Sequence, residues 1–198
     1  MGEFNSGKTA LVNAMAGTQV LAPSSVLHTT HPTVVTYATR PVLAAETNDR
    51  RRVRLSALDE APLEGVRRLH VGVPLPSLRA FSLTDTSGLG IADEEIDPRT
   101  LAVCRTADIA IWCTPAMQAW KASEEQSWAL LPRRVLTRGI LAVTFADLVS
   151  PADLDRLMAR LNKEAGPVFR RIITAQACVG LVGEALAPGS QSLNGQPG

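Results

Sequence analysis

The stretch that decides the fold is GEFNSGKT, residues 2–9 of the 198-residue chain. It matches the pattern GxxxxGK[ST], in which glycines allow backbone N–H groups to turn towards phosphate oxygens. Lys8 would neutralise the β- and γ-phosphates of a nucleotide, and the Thr9 hydroxyl is a suitable ligand for Mg²⁺. The stretch therefore predicts a site for the phosphates of a nucleotide, with Thr9 as one metal ligand.

The residues after this loop predict a helix over Gly7–Ala16. Leu11, Ala14 and Met15 fall on one face of that helix, which would pack against the core. The helix would then direct its positive N-terminal end at the bound phosphates. Seven residues of the loop and the first helical turn are expected to contact the nucleotide: Gly2, Asn5, Ser6, Gly7, Lys8, Thr9 and Ala10.

Further along the chain, apolar strand patterns alternate with amphipathic helix patterns. This order predicts an α/β protein with the three-layer P-loop NTPase fold, a mostly parallel central sheet and helices on both faces. Such a loop follows the central first strand of its sheet, so a motif that starts at residue 2 predicts that this strand is missing from the chain. Predicted strands are Val34–Thr39, Val53–Ala57, Arg68–Val73, Ala80–Thr84, Ala107–Cys113, Gly139–Phe145 and Arg171–Thr174. Predicted helices after the first are Pro98–Thr106, Ala119–Leu131, Pro151–Ala165 and Gln176–Ala187.

The length favours one domain, which we place at residues 1–187, truncated at its N-terminus. Residues 188–198 are rich in Gly, Pro, Ser and Gln and are expected to be a disordered tail. A net charge of +1 gives no summed field for a nucleic acid, and we expect none as a partner. Three cysteines without CxxC spacing predict free thiols, and the absence of a signal or spanning segment favours the cytoplasm.

A second acidic residue is needed to hold the metal from the far side of the phosphates. Asp85 follows the predicted strand Ala80–Thr84 and begins the pattern DTSG, residues 85–88. Its carboxylate would reach Mg²⁺ through water, and the Gly88 N–H would meet the γ-phosphate. The polar segment LHTTHPT, residues 27–33, precedes a strand, and one of its hydroxyls would give the metal a further ligand.

The base would be recognised after the predicted strand Gly139–Phe145, where TFAD occupies residues 144–147. It is similar to the [NT]KxD motif that reads guanine, with Thr144 first and Asp147 last. A carboxylate accepts from both N1–H and the exocyclic amine of guanine, whereas adenine offers no such pair of donors. Phe145 replaces the motif's lysine and either stacks on the base or packs at the end of a core strand. Ala175 lies in a small-residue loop that would offer a backbone N–H to the guanine oxygen.

With these motifs in order, residues 1 to about 178 resemble a P-loop GTPase, and more narrowly the GTPase domain of the bacterial dynamin-like group. The narrower resemblance rests on four stretches: GEFNSGKTALVNAMAG at 2–17, VLHTTHPTVVTY at 26–37, VGVPLPSLRAFSLTDTSGLG at 71–90 and ADIAIWCT at 107–114. It implies GTP binding, Mg²⁺-dependent hydrolysis and nucleotide-dependent pairing of two GTPase domains. It also implies that the first-switch threonine, a metal ligand and catalytic residue, is Thr29 or Thr30, with Thr29 preferred.

Two positions bear on the catalytic mechanism that the resemblance implies. Leu89 follows DTSG, so the water-orienting glutamine of Ras-like GTPases is absent. Asn5 occupies the loop position that helps to hold a monovalent cation in cation-dependent GTPases, and we predict hydrolysis stimulated by K⁺. Lys8, Asn5, Thr29 and Gly88 are the predicted catalytic residues.

Alternative functions remain open from the sequence. The chain would be a nucleotide-binding module without turnover, or an interaction fragment of a longer GTPase. A P-loop ATPase or kinase is the further alternative, and it has no use for Asp147. Three departures are the reason for keeping the non-hydrolysing option: the missing first strand, Ser87 in the switch motif and Phe145 in the base motif. No long helical stalk follows residue 187, so we expect membrane association only through a missing region or a partner.

Overall fold

The computed structural model describes residues 1–22, 31–57, 64–88 and 97–176. Two sheets and five α-helices form this part of the chain. The helices are α1 (Lys8–Ala16), α2 (Pro98–Cys104), α3 (Ala122–Ala129), α4 (Arg133–Leu136) and α5 (Pro151–Glu164). The strands are β1 (Thr33–Tyr37), β2 (Val42–Thr47), β3 (Arg52–Arg54), β4 (Val66–Val73), β5 (Leu83–Asp85), β6 (Ala110–Pro115), β7 (Gly139–Thr144) and β8 (Arg171–Thr174).

The larger sheet has five strands in the order β3-β2-β4-β1-β5 and is mixed. Only β1 and β4 run parallel, whereas β2 is antiparallel to β3 and β4, and β5 is antiparallel to β1. The mostly parallel sheet that the sequence predicted is therefore wrong for this half. The main reason is β2, which the sequence analysis did not assign and which folds back through a short hairpin turn.

The hairpin turn between β2 and β3 contains Asn48 and Asp49. The Arg50 N–H donates to the Thr47 carbonyl over 2.9 Å, and the Thr47 N–H donates to the Arg51 carbonyl over 3.0 Å. Arg50 has a φ of 65°, in the left-handed region that such tight turns use. The strand predicted at Val53–Ala57 spans Arg52–Arg54 instead, and after its end the Leu55 N–H still donates to the Leu43 carbonyl over 2.9 Å.

The smaller sheet, β6-β7-β8, is wholly parallel, as the continuous apolar runs predicted. In the described residues, β5 and β6 are not paired with each other, and Met1 lies beside β6. The Met1 amine donates to the Ile111 carbonyl over 2.8 Å, and the Cys113 N–H donates to the Met1 carbonyl over 2.7 Å. This is the bond pattern of one parallel bridge.

The core of the smaller sheet is aromatic. Trp112 and Trp128 meet edge to face with ring centroids 5.7 Å apart, and Phe169 packs on Trp128 at 4.5 Å and on Trp120 at 4.9 Å. A side chain at Gly139 would place its Cβ only 2.4 Å from the Trp128 ring, so this packing requires glycine there. The five-stranded sheet has a separate aliphatic core, which contains Val12 and Ala16 of α1.

The helix predicted at Ala119–Leu131 begins later, at Ala122, after a turn of 3₁₀ helix over Ala116–Gln118. Trp120 has a φ of 58°, which no helix interior accepts, and this residue separates the turn from α3. The buried Glu124 accepts from the Lys121 N–H over 3.0 Å and so fixes the first turn of α3. None of the helices in residues 1–22, 31–57, 64–88 and 97–176 is long and apolar enough to cross a membrane.

Candidate nucleotide-binding site

The GEFNSGKT loop turns tightly into α1, and its backbone explains which residues must be glycine. Gly7 precedes the first helical residue with a φ of 80°. Gly2 has a φ of 137°, and a Cβ built on it would lie 2.3 Å from the Cys113 carbonyl oxygen. Asn5, at a φ of 57°, is the non-glycine residue of the loop in the left-handed region, which asparagine tolerates better than most residues. The loop thus has the backbone curvature that a phosphate cradle needs.

The Lys8 side chain bonds to the backbone of its own phosphate loop. Its Nζ donates to the Glu3 carbonyl over 2.6 Å, across the space enclosed by the loop. Burial lowers the pKa of Lys8, and the nearby charges of Asp85 and Glu3 act in the opposite direction. A dehydrated ammonium in this position gains more from a phosphate than a fully hydrated one would, because less water has to be displaced.

Glu3 connects the loop to α3. Its two carboxylate oxygens accept from Lys121 Nζ over 2.6 Å and from Ser123 Oγ over 2.7 Å. The Glu3 side chain is only 12% exposed, so these charge-assisted bonds are partly shielded from water. No local sequence pattern predicts this role, and the one available signal is the scarcity of lysine, since the chain contains only Lys8, Lys121 and Lys163.

Thr9 and Asp85 meet at the candidate metal end of the site. The Thr9 hydroxyl donates to Asp85 Oδ2 over 2.7 Å, which joins the phosphate loop to the DTSG segment. Asp85 is buried, and its second oxygen, Oδ1, has no hydrogen-bond partner among the described residues. A buried carboxylate oxygen without a partner beside a hydroxyl fits a hard cation such as Mg²⁺, which prefers oxygen ligands. The predicted pair of metal residues is therefore brought together.

Gly88 packs directly on the phosphate loop. A Cβ at this position would lie 3.0 Å from both the nitrogen and the Cα of Phe4. The absence of a side chain thus lets the DTSG segment approach the loop backbone closely. Thr29 and Thr30, the candidate first-switch residues, and Leu89 lie outside the described residues.

The base end of the site is a crevice beside α1. Thr144 stands at the end of β7, and its hydroxyl donates to the carbonyls of Ser6 over 2.9 Å and of Thr114 over 3.2 Å. The Phe145 ring would lie 3.4 Å from a Cβ on Gly7, so the ring covers the end of the loop. The crevice is lined by Gly7, Ala10, Leu11, Ala14, Thr144, Phe145, Ala175 and Gln176.

Two residues predicted to read the base differ in their relation to the crevice. Asp147 is exposed on a 3₁₀ turn just after Phe145 and is not among the described lining residues. Ala175 does line the crevice, but its N–H donates to the Val143 carbonyl over 2.8 Å. The Ala175 N–H itself is thus engaged in the parallel ladder, and the expectation that this loop offers a backbone N–H to a guanine oxygen stays a prediction.

A network of buried polar groups joins α3 to the end of β6, close to the crevice and the phosphate loop. No local sequence pattern predicts this network. Glu124 accepts from Trp112 Nε1 over 3.0 Å and from the Thr114 hydroxyl over 2.8 Å. The Thr114 hydroxyl in turn accepts from the Trp120 N–H over 3.0 Å. These bonds satisfy a carboxylate that is fully buried, and they hold the end of β6 under the phosphate loop.

Together, the loop, its following helix and the acidic strand end define a P-loop nucleotide-binding protein. A family model described as the Dynamin family matches residues 1–145, and the chain belongs to that family as a GTPase domain. Dynamin-like protein 2 of Campylobacter jejuni is 27% identical over 165 residues, which cover 80% of this chain and 27% of that protein.

Solved structures agree on the fold. Two structures of an oligomerised bacterial dynamin pair, described as sensing and tethering membranes over long range, superpose with TM-scores of 0.65 and 0.62 at 22% and 19% identity. Each match covers 88% of this chain and 30% or 29% of the other. The chain thus spans less than a third of the length of these relatives. The α/β P-loop fold predicted from the sequence is confirmed, with the larger sheet mixed.

Proposed function

We propose that this chain binds GTP and hydrolyses it to GDP and phosphate with Mg²⁺, and that turnover rises when two GTPase domains pair. The observation that carries the proposal is the 2.7 Å bond between Thr9 and Asp85. It joins the two motifs that P-loop enzymes use around the metal and leaves one buried oxygen of Asp85 without a protein partner. Membership of the dynamin family supports guanine as the base.

The residues act mainly by positioning and charge, because phosphoryl transfer needs little covalent help from the protein. Lys8 would exchange the Glu3 carbonyl for phosphate oxygens, and the loop N–H groups would bind the same anion. Thr9 and Asp85 would hold Mg²⁺, which when bound neutralises charge that develops on the phosphate oxygens. The Gly88 N–H, kept near Phe4, would meet the γ-phosphate.

Fluorescent GTP and ATP analogues test the binding step, and phosphate release tests turnover. We expect saturable, Mg²⁺-dependent binding that prefers GTP and is lost in Lys8→Ala. Lys163→Ala, an exposed lysine on α5, is the matched control and should bind as the unaltered chain does. A preference for ATP would favour the kinase or ATPase alternative, whereas GTP binding without phosphate release would leave a non-hydrolysing module.

Pairing and cation dependence need separate measurements. If two domains pair, the turnover per molecule should rise with protein concentration in the presence of GTP. The position of Asn5 in the loop supports stimulation by K⁺, which would add positive charge near the transition state. Equal rates in K⁺ and in a large inert cation such as tetramethylammonium would contradict the second proposal and leave the first intact.

A further inference from the structure

A basic cavity lies away from the P-loop, between the β2–β3 turn, the start of β4 and the second half of α2. Its volume is about 180 Å³. Among the described residues, four arginines line it, namely Arg50, Arg67, Arg68 and Arg99, together with one acid, Glu46. None of these described lining residues belongs to the phosphate loop, the DTSG segment or the base crevice.

Glu46, the one acid among the described lining residues, already has its hydrogen bonds. Glu46 is 4% exposed, and it accepts from Arg68 Nε over 3.0 Å and from His70 Nε2 over 2.9 Å, while Arg68 NH2 lies 3.0 Å from its other oxygen. Burial acts to raise the pKa of Glu46, but the bonds from Arg68 and His70 hold that pKa below its ordinary value. Glu46 is therefore a charged anchor for Arg68.

The positive charge of the lining arginines exceeds the single negative charge of Glu46. Arg67 NH1 lies 3.8 Å from Glu46 Oε1, beyond hydrogen-bond distance, and its side chain is 32% exposed. Arg50, Arg67 and Arg68 carry three positive charges against the one negative charge of Glu46, so these four described residues have an excess of two positive charges. Like charges held around one concave space repel each other and focus a positive potential into it, which an anion would relieve.

The size of the cavity limits which anion fits. Sites for drug-sized ligands usually measure about 300–1,000 Å³, so a cavity of about 180 Å³ is small for a nucleoside. Guanidinium groups match the oxygen geometry of phosphate, to which they donate two parallel hydrogen bonds. The shape and charge together suit one or two phosphate groups.

We propose that this cavity is an anion site that takes one or two phosphate groups of a small ligand, with Arg67 and Arg50 as its main donors. The phosphates come either from a free anion such as pyrophosphate or from a lipid headgroup with an exposed phosphomonoester. Arg50 is exposed in the β2–β3 turn, and it lines the same cavity as Arg67 of β4.

Calorimetric titration of the full chain with pyrophosphate tests the proposal. The titration uses the Lys8→Ala variant without Mg²⁺, so that the P-loop does not contribute and the outcome is independent of GTPase activity. We expect saturable binding with one ligand per chain, weakened about tenfold by Arg67→Gln through loss of a charged hydrogen-bond donor. Arg156→Gln removes the same charge from an 80% exposed side chain on α5 and should leave the affinity unchanged.

Two further measurements complete the test. Sedimentation with phosphatidylcholine vesicles, with and without phosphatidic acid, identifies the lipid source if only the acidic vesicles capture the chain in an Arg67-dependent way. If Arg67→Gln lowers the melting temperature, Arg50→Gln in the exposed turn replaces it. The proposal is overturned if neither probe binds, if both arginine variants bind pyrophosphate normally, or if Arg156→Gln weakens binding as much as they do.

Discussion

The phosphate end and the base end of the nucleotide site are built in different ways. At the phosphate end, Thr9 bonds to Asp85, Lys8 bonds to the loop carbonyl of Glu3, and the Glu3 carboxylate holds Lys121. At the base end, Asp147 stands exposed on a short turn. The phosphate end is thus organised by contacts within the protein, whereas the residue predicted to read the base is a side chain on an exposed turn.

This difference indicates which end of the site should contribute most of the binding energy and which end should determine selectivity between nucleotides. A site held by buried hydrogen bonds loses little entropy when the ligand arrives, because its groups are already in position. A side chain on an exposed turn contributes chiefly through the bonds that it makes with one base and not another. Changes at the phosphate end should therefore affect all nucleotides, and changes at the base end should affect the choice between them.

The largest effect is expected from Asp85→Asn. Loss of the carboxylate charge removes the metal's anionic partner, and we expect Mg²⁺ to support GTP binding about 10- to 100-fold less well. The measurement is GTP affinity as a function of Mg²⁺ concentration. Asp108→Asn alters an acid that is 83% exposed and serves as the control. If Asp85→Asn needs the same Mg²⁺ concentration for half-maximal GTP binding, Asp85 is not a metal ligand.

At the base end, Asp147→Asn should shift the nucleotide preference from GTP towards XTP without abolishing binding. The amide no longer accepts two hydrogen bonds from guanine but donates one to the second carbonyl of xanthine, so the ratio of GTP to XTP affinity should fall about tenfold. Competition of both nucleotides against a fluorescent analogue gives this ratio. Asp155→Asn, also exposed, should keep the original ratio. If both variants keep it, another residue reads the base.

A smaller effect is expected from Phe145→Ala. Contact between an aromatic ring and a base contributes about 1–3 kcal/mol, and the low end of this range gives roughly fivefold weaker GTP binding. Phe145→Lys tests the same surface with an aliphatic stem and should bind within about twofold of the unaltered chain. If Phe145→Ala binds GTP as tightly as the unaltered chain does, the ring covers Gly7 and does not contribute to base binding.

The smallest effect is expected from the tether between the loop and α3. Glu3→Gln keeps the shape of the side chain but loses its charge, and the free energy of unfolding should fall by about 0.5–1 kcal/mol. Urea denaturation of Glu3→Gln, Lys121→Gln and the double variant measures the coupling between the two residues. Strictly additive losses would show that the 2.6 Å contact does not stabilise the loop.

The local parts of the site could be predicted from the sequence. The phosphate loop, α1 and Asp85 are carried by short patterns whose spacing fixes their geometry, and Thr9 and Asp85 do meet. The parallel strands β6 to β8 were also predictable because buried parallel strands are continuously apolar.

The non-local parts were not predictable. VLAAET at β2 contains residues that favour helices, and only its pairing with β4 makes it a strand. Lys121 and Glu3 are 118 positions apart, so no local pattern could reveal their contact. A loop motif also does not show that the ladder with β7 extends one residue further, to the bond between the Ala175 N–H and the Val143 carbonyl.

The aromatic residues that fluoresce are divided between the two sheets by type. All three tryptophans of the chain, Trp112, Trp120 and Trp128, are buried in the half that contains β6 to β8, whereas its one tyrosine, Tyr37, lies on β1. Indole emission therefore reports on one sheet, and phenol emission reports on the other. Unfolding curves followed at the two emissions will coincide only if both sheets melt as one cooperative unit.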